Sequence, residues 1–561
     1  MEYLVFFVTI GLILAVLAAK GAWDTYKIQK KFTEHLYKDY GKLPDREYKV
    51  ERLIRIDGYY RKHPKDGQID DITWNDLNMD EIFKRMNYTL SSTGEEYLYY
   101  TLRTPKMSQA DIDELEEKIA FFENHADERV KVQLLMHRLG VTGNYSLYDY
   151  LEYLGVLGER SNRKILLCDL LILILIGICF VNLSVGLMGI AVLVVYNIVT
   201  YFKEKEKIEP YIISFSYVMR LLDVCDRLLK LPLPACRKNL DEVRLRKGRL
   251  GKMRQGAGLV LKGSSATGSG NPLDILMDYF NMAFHVDIMF FNRMVNQLNL
   301  HLEDVDALIT QLGILETAIC IGQYRASSQN GWCRPAFLTK GKISLKAEAA
   351  YHPLIDQPVK NSIVTERGVL LTGSNASGKS TFLKTMAVNA ILAQTINTCN
   401  ADTYQAPFFR ICSSMALRDD MESGESYYIV EIKALKRILS NTGDQPLLCF
   451  VDEVLRGTNT VERIAASTQI LKSLGTEKVL CFAATHDIEL TELLKDDYDN
   501  YHFEEEIKDG DIVFPYKLLK GKATTRNAIR LLEIMGYDES IIEKATRQAE
   551  HFMASGVWEL P

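Results

Sequence analysis

A glycine-rich stretch between an apolar run and a helical pattern constrains the fold more than any other feature of the chain. The run GVLLT (368–372) is followed by GSNASGKS (373–380), which fits the spacing GxxxxGK[ST]. Glycines let the backbone curl until successive N–H groups face one anion, at the positive end of the helix that follows. The stretch therefore predicts a strand, a phosphate-binding loop and a helix in that order.

The side chains of this loop have separate predicted roles. Lys379 is expected to reach the β- and γ-phosphates of a nucleotide, and the Ser380 hydroxyl is expected to bind Mg²⁺. The predicted phosphate-binding residues are Gly373, Ser374, Asn375, Ala376, Ser377, Gly378, Lys379, Ser380 and Thr381. On its own, the loop indicates a nucleotide without saying what the nucleotide is used for.

Two further apolar runs end in residues that suit phosphate chemistry. LLCFVDE (447–453) ends in two carboxylates: Asp452 can hold Mg²⁺ through its water shell, and Glu453 can polarise an attacking water as a general base. VLCFAAT (479–485) is followed by His486, which can hydrogen-bond a γ-phosphate. The alternative is a strand that happens to end in acidic residues. Short apolar strands that alternate with helices from about residue 340 predict a parallel sheet covered on both faces, hence an α/β domain.

Two apolar segments predict membrane helices. Residues 3–19 carry no charge and are followed by lysines, which predicts an uncleaved anchor with the N-terminus outside the cell. A signal peptide is the alternative, although no positive charge precedes the segment. Residues 165–201 are long enough for two helices joined by a tight turn, and basic residues flank both ends. A buried helical pair in a soluble core is the alternative here.

Three membrane spans predict a multi-pass cell-membrane protein whose other parts are cytoplasmic. The predicted organisation is an anchor at 3–19, a helical region at 20–163, a transmembrane hairpin at 165–201, a helical core and lever region at 203–335, and an α/β domain at 340–561. Residues 237–256 contain eight Lys/Arg against two acids, which suits a solvated helix face, a nucleic-acid backbone or anionic lipid.

The composition excludes two broad classes of protein. The net charge is −6, from 67 basic and 73 acidic residues, so the chain as a whole is not built to bind polyanions. Its ten cysteines are scattered, without a CxxC pair, and are expected to be reduced thiols rather than zinc ligands or a disulfide framework.

The order of these motifs resembles the ATPase domain of the MutS family, in the ABC superclass. Asp452-Glu453 is followed by Gly457-Thr458-Asn459 and then by Thr485-His486; SGESYY (423–428) followed by Glu431 resembles the family's signature loop. His352-Pro353 with Asn361 resembles a segment that borders the adenine, and 516–551 resembles the C-terminal closure with its helix-turn-helix. The match covers about residues 345–550.

A weaker resemblance extends upstream of the ATPase domain. STGEEYL (92–98) with Pro105 resembles the start of the family's helical core from about residue 80, and 314–324 resembles the helix that leads out of that core. No counterpart of the family's mismatch-reading domain is expected. Tyr427 stands where the family's signature loop usually has Thr.

The resemblance implies a P-loop ATPase that uses ATP and Mg²⁺ and works as a homodimer. Ser426, Gly457 and Thr458 would then meet the nucleotide across the dimer interface, and ATP would switch the conformation of the helical core. DNA is the implied partner, in a mismatch-repair-related role. The alternatives are an ABC-transporter half, which predicts more spans and an LSGGQ-type signature, and a membrane-organising ATPase that does not bind DNA.

Overall fold

The computed structural model describes residues 2–142, 146–156, 158–251, 279–339, 341–374, 377–415, 427–455, 458–508, 511–523 and 528–558. Its helices are α1 (Glu2–Lys38), α2 (Val50–Ile54), α3 (Gly58–Lys62), α4 (Asp71–Asp76), α5 (Met79–Met86), α6 (Ser92–Arg103), α7 (Gln109–Asn124), α8 (Ala126–Leu139), α9 (Leu147–Val156), α10 (Arg163–Cys179), α11 (Leu183–Leu228), α12 (Arg237–Arg249), α13 (Val286–Leu300), α14 (Leu302–Ser327), α15 (Lys379–Ile396), α16 (Tyr427–Ser440), α17 (Thr460–Leu474), α18 (Glu489–Leu493), α19 (Ala528–Ile534) and α20 (Glu539–Ser555). Its strands are β1 (Ala336–Phe337), β2 (Leu345–Ala350), β3 (Asn361–Thr365), β4 (Gly368–Thr372), β5 (Thr403–Ala406), β6 (Arg410–Ser414), β7 (Leu447–Asp452), β8 (Val479–Ala484), β9 (Tyr498–His502), β10 (Glu506–Lys508), β11 (Asp511–Val513) and β12 (Leu519–Lys520).

The chain divides into two compact units. The helical unit comprises Met1–Pro64, Asn87–Tyr100 and Glu117–Ser327, and the sheet unit comprises Lys65–Met86, Thr101–Glu116 and Ser328–Pro561. The protein is thus helix-rich with mixed sheets. The sheet unit includes two segments, 65–86 and 101–116, that the sequence patterns placed with the N-terminal helices.

Helix α14 forms the centre of the helical unit. It is apolar on most of its surface, and 72% of its most apolar window is buried. The carboxylate of Glu316, which is 2% exposed, accepts hydrogen bonds from the N–H and hydroxyl groups of Ser91, just before α6 begins. Gly94, in the first turn of α6, lies so close that an added Cβ would be 2.0 Å from a Glu316 oxygen. The glycine in STGEEYL is therefore required by this close approach.

Helices α10 and α11 form the hairpin predicted at 165–201. The turn lies at 180–182, where the Asn182 side chain caps α11 by accepting from the Val185 N–H at 3.2 Å. Apolar side chains point outward along both helices, and Phe180 and Val181 at the turn are each 90% exposed. Helix α11 then continues through Pro210 into the helical unit, where its C-terminal part is buried.

Two helices among the described residues are long and apolar enough to cross a membrane, and only one of them lies in a predicted span. They are Leu183–Glu209, with 11% of its window buried, and α14. Because α14 is mostly buried, it is typical of a core helix. The count is therefore two candidate apolar helices rather than the three predicted. Residues 3–19 lie within helix α1, whose N-terminal side chains are outside the described part, and α10 is a 17-residue helix.

The sheet unit is built on a six-stranded sheet in the order β12-β9-β4-β8-β7-β6. The neighbours from β9 to β6 are parallel, and β12 is antiparallel to β9. Every residue of β4, β7 and β8 is buried, as expected for strands covered on both faces. Since the carboxyl ends of parallel strands meet at one edge, the segments that follow β4, β7 and β8 lie at the same edge of the sheet.

The segment 65–86 packs on strand β6. The buried carboxylate of Asp76 accepts hydrogen bonds from the Ser413 hydroxyl at 2.6 Å and from the Met415 N–H at 2.9 Å. The Arg437 guanidinium, on α16, forms an ion pair with Asp70 and also donates to the Ser413 carbonyl. Helix α4 is thereby fixed to β6 and α16 together.

Candidate nucleotide-binding site

The loop after β4 has the backbone conformation that its glycines were expected to allow. Gly373 and Gly378 have φ angles of +138° and +111°, in the region that favours glycine. A Cβ at Gly373 would be 2.4 Å from the carbonyl oxygen of Phe503, so a side chain there has no room. Helix α15 begins at Lys379, immediately after the loop, and its N-terminus faces the loop. Asn375 and Ala376 lie outside the described residues.

The Lys379 side chain folds back over this loop. Its ammonium donates to the carbonyl oxygens of Gly373 and Ser374, each at 2.7 Å, and the residue is 5% exposed. The Ser374 hydroxyl donates to Glu505 at 2.7 Å. The Ser377 hydroxyl is buried and has no hydrogen-bond partner among the described residues. A buried hydroxyl without a partner, beside an ammonium and a helix N-terminus, is a group that a phosphate oxygen would satisfy.

A cavity of about 440 Å³ opens from the loop. Its lining residues are Ala350, His352, Ile355, Gln357, Pro358, Val359, Asn361, Ser374, Ser377, Gly378, Lys379, Ser380, Thr381, Phe382, Thr385, Glu453, Phe503 and Tyr516. The lining combines the polar groups of the loop with apolar and aromatic side chains, among them Ile355, Phe503 and Tyr516. A ligand that has both charged and flat, apolar parts suits such a lining.

The two residues predicted to border a base both line this cavity. Burial and, to a smaller extent, the charge of Lys384 lower the pKa of His352 to about 4, so the ring is neutral at pH 7. Asn361 joins the cavity wall to the C-terminal segment: its amide donates to the Tyr516 carbonyl, and its oxygen accepts from the Leu518 N–H, both at 2.9 Å. The Asn361 side chain therefore holds the backbone of the segment 516–518 against the cavity wall.

The carboxylates after β7 differ in position. Asp452, 8% exposed, ends the strand beside Ala484 of β8. Glu453 has a φ of +59°, and its side chain lines the cavity. Its carboxylate lies 2.8 Å from Nε2 of His486, the residue that follows strand β8 by two positions. The predicted general base and the predicted γ-phosphate contact are therefore adjacent to each other.

The loop that follows the carboxylates is tied to the end of β8. Asn459 caps α17 by accepting from the Val461 N–H at 3.0 Å. Arg463, one turn along that helix, forms a two-pronged ion pair with Asp487 at 2.9 and 2.5 Å. Thr458 immediately precedes this cap. Gly457 and Ser426 lie outside the described residues.

The structure brings most of the predicted site residues together. The described loop residues Ser374 and Ser377 to Thr381 share the cavity with His352, Asn361 and Glu453, and His486 joins them through Glu453. Asp452 and Thr458 do not line the cavity, although Asp452 lies at the same edge of the sheet. The sequence patterns did not assign Glu505, Phe503 or Tyr516 to the site. These residues lie more than 120 positions beyond the loop in sequence. Only Tyr516 falls within a recognised segment, the C-terminal closure at 516–551, and that resemblance did not assign it to the site.

The residues present fit a magnesium–nucleotide complex. The Ser380 hydroxyl and the Asp452 carboxylate are oxygen donors of the kind that Mg²⁺ prefers. Lys379 and the α15 N-terminus supply positive charge for phosphates, and Glu453 supplies a base beside them. The glycine loop after β4 and the carboxylates after β7 thus lie at one edge of the six-stranded sheet, an arrangement that suits a phosphate ligand.

Comparison with known proteins places this domain in a family. A family model for MutS domain V matches residues 369–553. The DNA mismatch repair protein MutS of Lactobacillus delbrueckii subsp. bulgaricus is 27% identical over 301 residues, covering 51% of this chain and 34% of the relative. Those of Lactobacillus acidophilus and Thermus thermophilus are each 30% identical, covering 47% and 39% of this chain and 32% and 27% of the relatives.

The chain is thus similar to MutS proteins over about half of its length, and residues 369–553 match the MutS domain V model. It spans about a third of the length of the curated relatives it matches. The resemblance drawn from the loop, the carboxylates and the histidine is thereby confirmed at the level of the family.

Proposed function

We propose that the protein is a MutS-related P-loop ATPase of the ABC type, which binds ATP with Mg²⁺ and hydrolyses it to switch conformation. The observation that carries this proposal is the contact between Glu453 and His486 in the cavity that Lys379 also lines. A general base has to lie within reach of the water that attacks the γ-phosphate. A cavity with only a phosphate-binding loop would suit binding without turnover.

Each residue has one role in this reaction. Lys379 exchanges its two backbone carbonyl contacts for the β- and γ-phosphates, and the N–H groups at the start of α15 bind phosphate oxygens. Ser380 and Asp452 would hold Mg²⁺, which neutralises charge on the phosphates. Glu453 orients and deprotonates the attacking water, and His486 Nε2 holds the Glu453 carboxylate in place.

The proposed switch works in a homodimer that acts on DNA. Ser426 and the loop at Gly457 and Thr458 would contact the nucleotide bound by the other subunit, as the family resemblance implies. The DNA proposal rests on the relatives, which are DNA mismatch repair proteins. The described part of the basic stretch 237–256 gives it little support, because Arg244, Arg246, Lys247 and Arg249 all form ion pairs with acids of the helical unit.

Substitution of the general base tests the proposal. Glu453→Gln should bind a fluorescent ATP analogue with Mg²⁺ as the wild type does, while steady-state ATP hydrolysis falls by at least about 100-fold. Glu477→Gln is the matched control, since Glu477 is an exposed carboxylate of the same unit. Equal turnover by Glu453→Gln and Glu477→Gln would contradict the role of Glu453.

A second proposal concerns the membrane: we propose that the α10–α11 hairpin inserts into the bilayer, with its turn on the outer side. The window Leu183–Glu209 is 11% buried, and the 90% exposed Phe180 and Val181 lie at the turn. Exposed apolar surface of this extent is typical of a membrane or a protein interface. The ABC-transporter alternative is not proposed, since the relatives are mismatch repair proteins.

The position of the turn can be measured by labelling. In a Cys179→Ser background, Phe180→Cys should react with a membrane-impermeant maleimide in intact cells. Leu300→Cys is the control, because Leu300 is 73% exposed in the helical unit and should react only after lysis. Labelling of both sites only after lysis would place the hairpin on the cytoplasmic side and overturn its insertion.

A further inference from the structure

We infer that Glu431, on helix α16, is a positioning residue that holds the turn after β7 and so aims Glu453 at the bound nucleotide. The inference rests on the proposed ATPase function and adds a residue to it.

The turn after β7 has an unfavourable backbone. Glu453 and Leu455 have φ angles of +59° and +60°, although neither is glycine. Left-handed conformations are costly for residues with a Cβ, above all for a bulky one such as Leu. Such a turn persists only where its surroundings hold it, and strained turns of this kind concentrate at functional sites.

Three elements hold the turn, one at each of its residues. The Glu453 N–H donates to the Ala484 carbonyl of β8 at 2.9 Å. The Val454 carbonyl accepts from the Ser467 hydroxyl of α17 at 3.3 Å. The Leu455 N–H donates to Oε1 of Glu431 at 2.5 Å. Of the three partners, Glu431 is the one side-chain carboxylate.

Burial makes the Glu431 contact decisive. Glu431 is 2% exposed and Leu455 is 4% exposed, so water cannot replace either partner. Without the carboxylate, the Leu455 N–H would be left unsatisfied in the core, and the turn would relax towards ordinary φ values. The Glu453 side chain would then leave the cavity and its contact with His486. Glu431 touches neither the nucleotide nor the water in this scheme; it acts through Glu453.

Kinetics of the full-length protein test this role. Glu431→Ala should lower kcat for ATP hydrolysis by about 10- to 100-fold, while the Kd for a fluorescent ATP analogue with Mg²⁺ stays within about threefold. Glu431→Gln, which keeps an oxygen acceptor, should retain most of the turnover. Glu431→Asp, shorter by one methylene, should lose turnover and serves as the second variant if the alanine protein does not fold.

Ser467→Ala is the matched control, because it removes the other side-chain contact to the same turn and should change kcat by less than about threefold. Wild-type kcat in Glu431→Ala or Glu431→Asp, or equal losses of kcat and nucleotide affinity, would overturn the inference. Those results leave the proposed function standing if Glu453→Gln is still inactive. If the wild type shows no Glu453-dependent hydrolysis, the proposed function and the inference both fail.

Discussion

Helix α14 and the apolar part of α11 are similar in length and composition, and they have opposite surroundings. The mean hydropathy is 1.5 for α14 and 2.1 for Leu183–Glu209, yet 72% of one window and 11% of the other are buried. Buried polar groups with partners occur in both helices: Glu316 of α14 accepts from Ser91, and Asn197 of α11 donates to the Ala283 carbonyl at 2.7 Å. The difference lies in the apolar side chains, which are mostly buried along α14 and mostly exposed along the first half of α11.

Placing an aspartate in each of the two helices should have very different consequences for stability. Leu312→Asp places a charge at a fully buried position of α14, and should lower the free energy of unfolding by about 4 to 5 kcal/mol or prevent folding. Leu187→Asp, at a 54% exposed position of α11, should change it by about 0.5 kcal/mol or less, while reducing retention in the membrane fraction.

Denaturant unfolding of the purified full-length chain, followed by intrinsic fluorescence, measures the first effect. Sedimentation of membranes measures the second. Leu312→Met is the conservative control and should cost less than about 1.5 kcal/mol. Equal destabilisation by the two aspartates would mean that the hairpin belongs to the folded core.

The next prediction concerns how stability depends on pH through the buried carboxylate of Glu316 on α14. Burial raises the pKa of Glu316 to about 7, above its value in the unfolded chain, so the folded state binds this proton more tightly. The stability that the protonated form contributes is therefore lost as the pH rises through the folded pKa. From pH 5 to pH 8, the free energy of unfolding should fall by about 2 to 3 kcal/mol on this account.

Glu316→Gln should flatten that pH dependence, since the amide does not titrate. The measurement is urea unfolding at pH 5, 6.5 and 8 for the two proteins in parallel. If the free energy of unfolding changed with pH to the same extent in the wild type and in Glu316→Gln, other groups would govern the pH dependence.

A smaller effect is expected at Gly94, which packs against the Glu316 carboxylate. Gly94→Ala should destabilise the protein by about 1 to 3 kcal/mol, because its Cβ would be 2.0 Å from the carboxylate. Gly248→Ala is the matched control on α12: nothing lies within 4 Å of its added Cβ, and it should stabilise by about 0.5 to 1 kcal/mol. Thermal unfolding of the wild type and the two variants measures both stability changes, which should be opposite in sign. An unchanged stability in Gly94→Ala would contradict the close packing of Gly94 against Glu316.

Local patterns predicted the central strands well. The runs at 368–372, 447–452 and 479–485 are present as β4, β7 and β8, the last one residue shorter. Their prediction depends on apolar residues and turn-forming residues that are neighbours in sequence. The packing of segment 65–86 on strand β6 could not be predicted from local patterns, because the contacting residues Asp76 and Ser413 are 337 positions apart in sequence. Likewise, the left-handed φ of Leu455 and its contact with Glu431 follow from tertiary packing, which no local propensity encodes.

Helix α11 also has a mechanical consequence. Its 46 residues would make a rod about 70 Å long. Pro210 has no N–H, so the carbonyl of Glu206 loses its helical donor near the point where the apolar window ends. The helix therefore lacks one backbone hydrogen bond where its exposed half meets its buried half, and we expect it to bend more easily there than elsewhere.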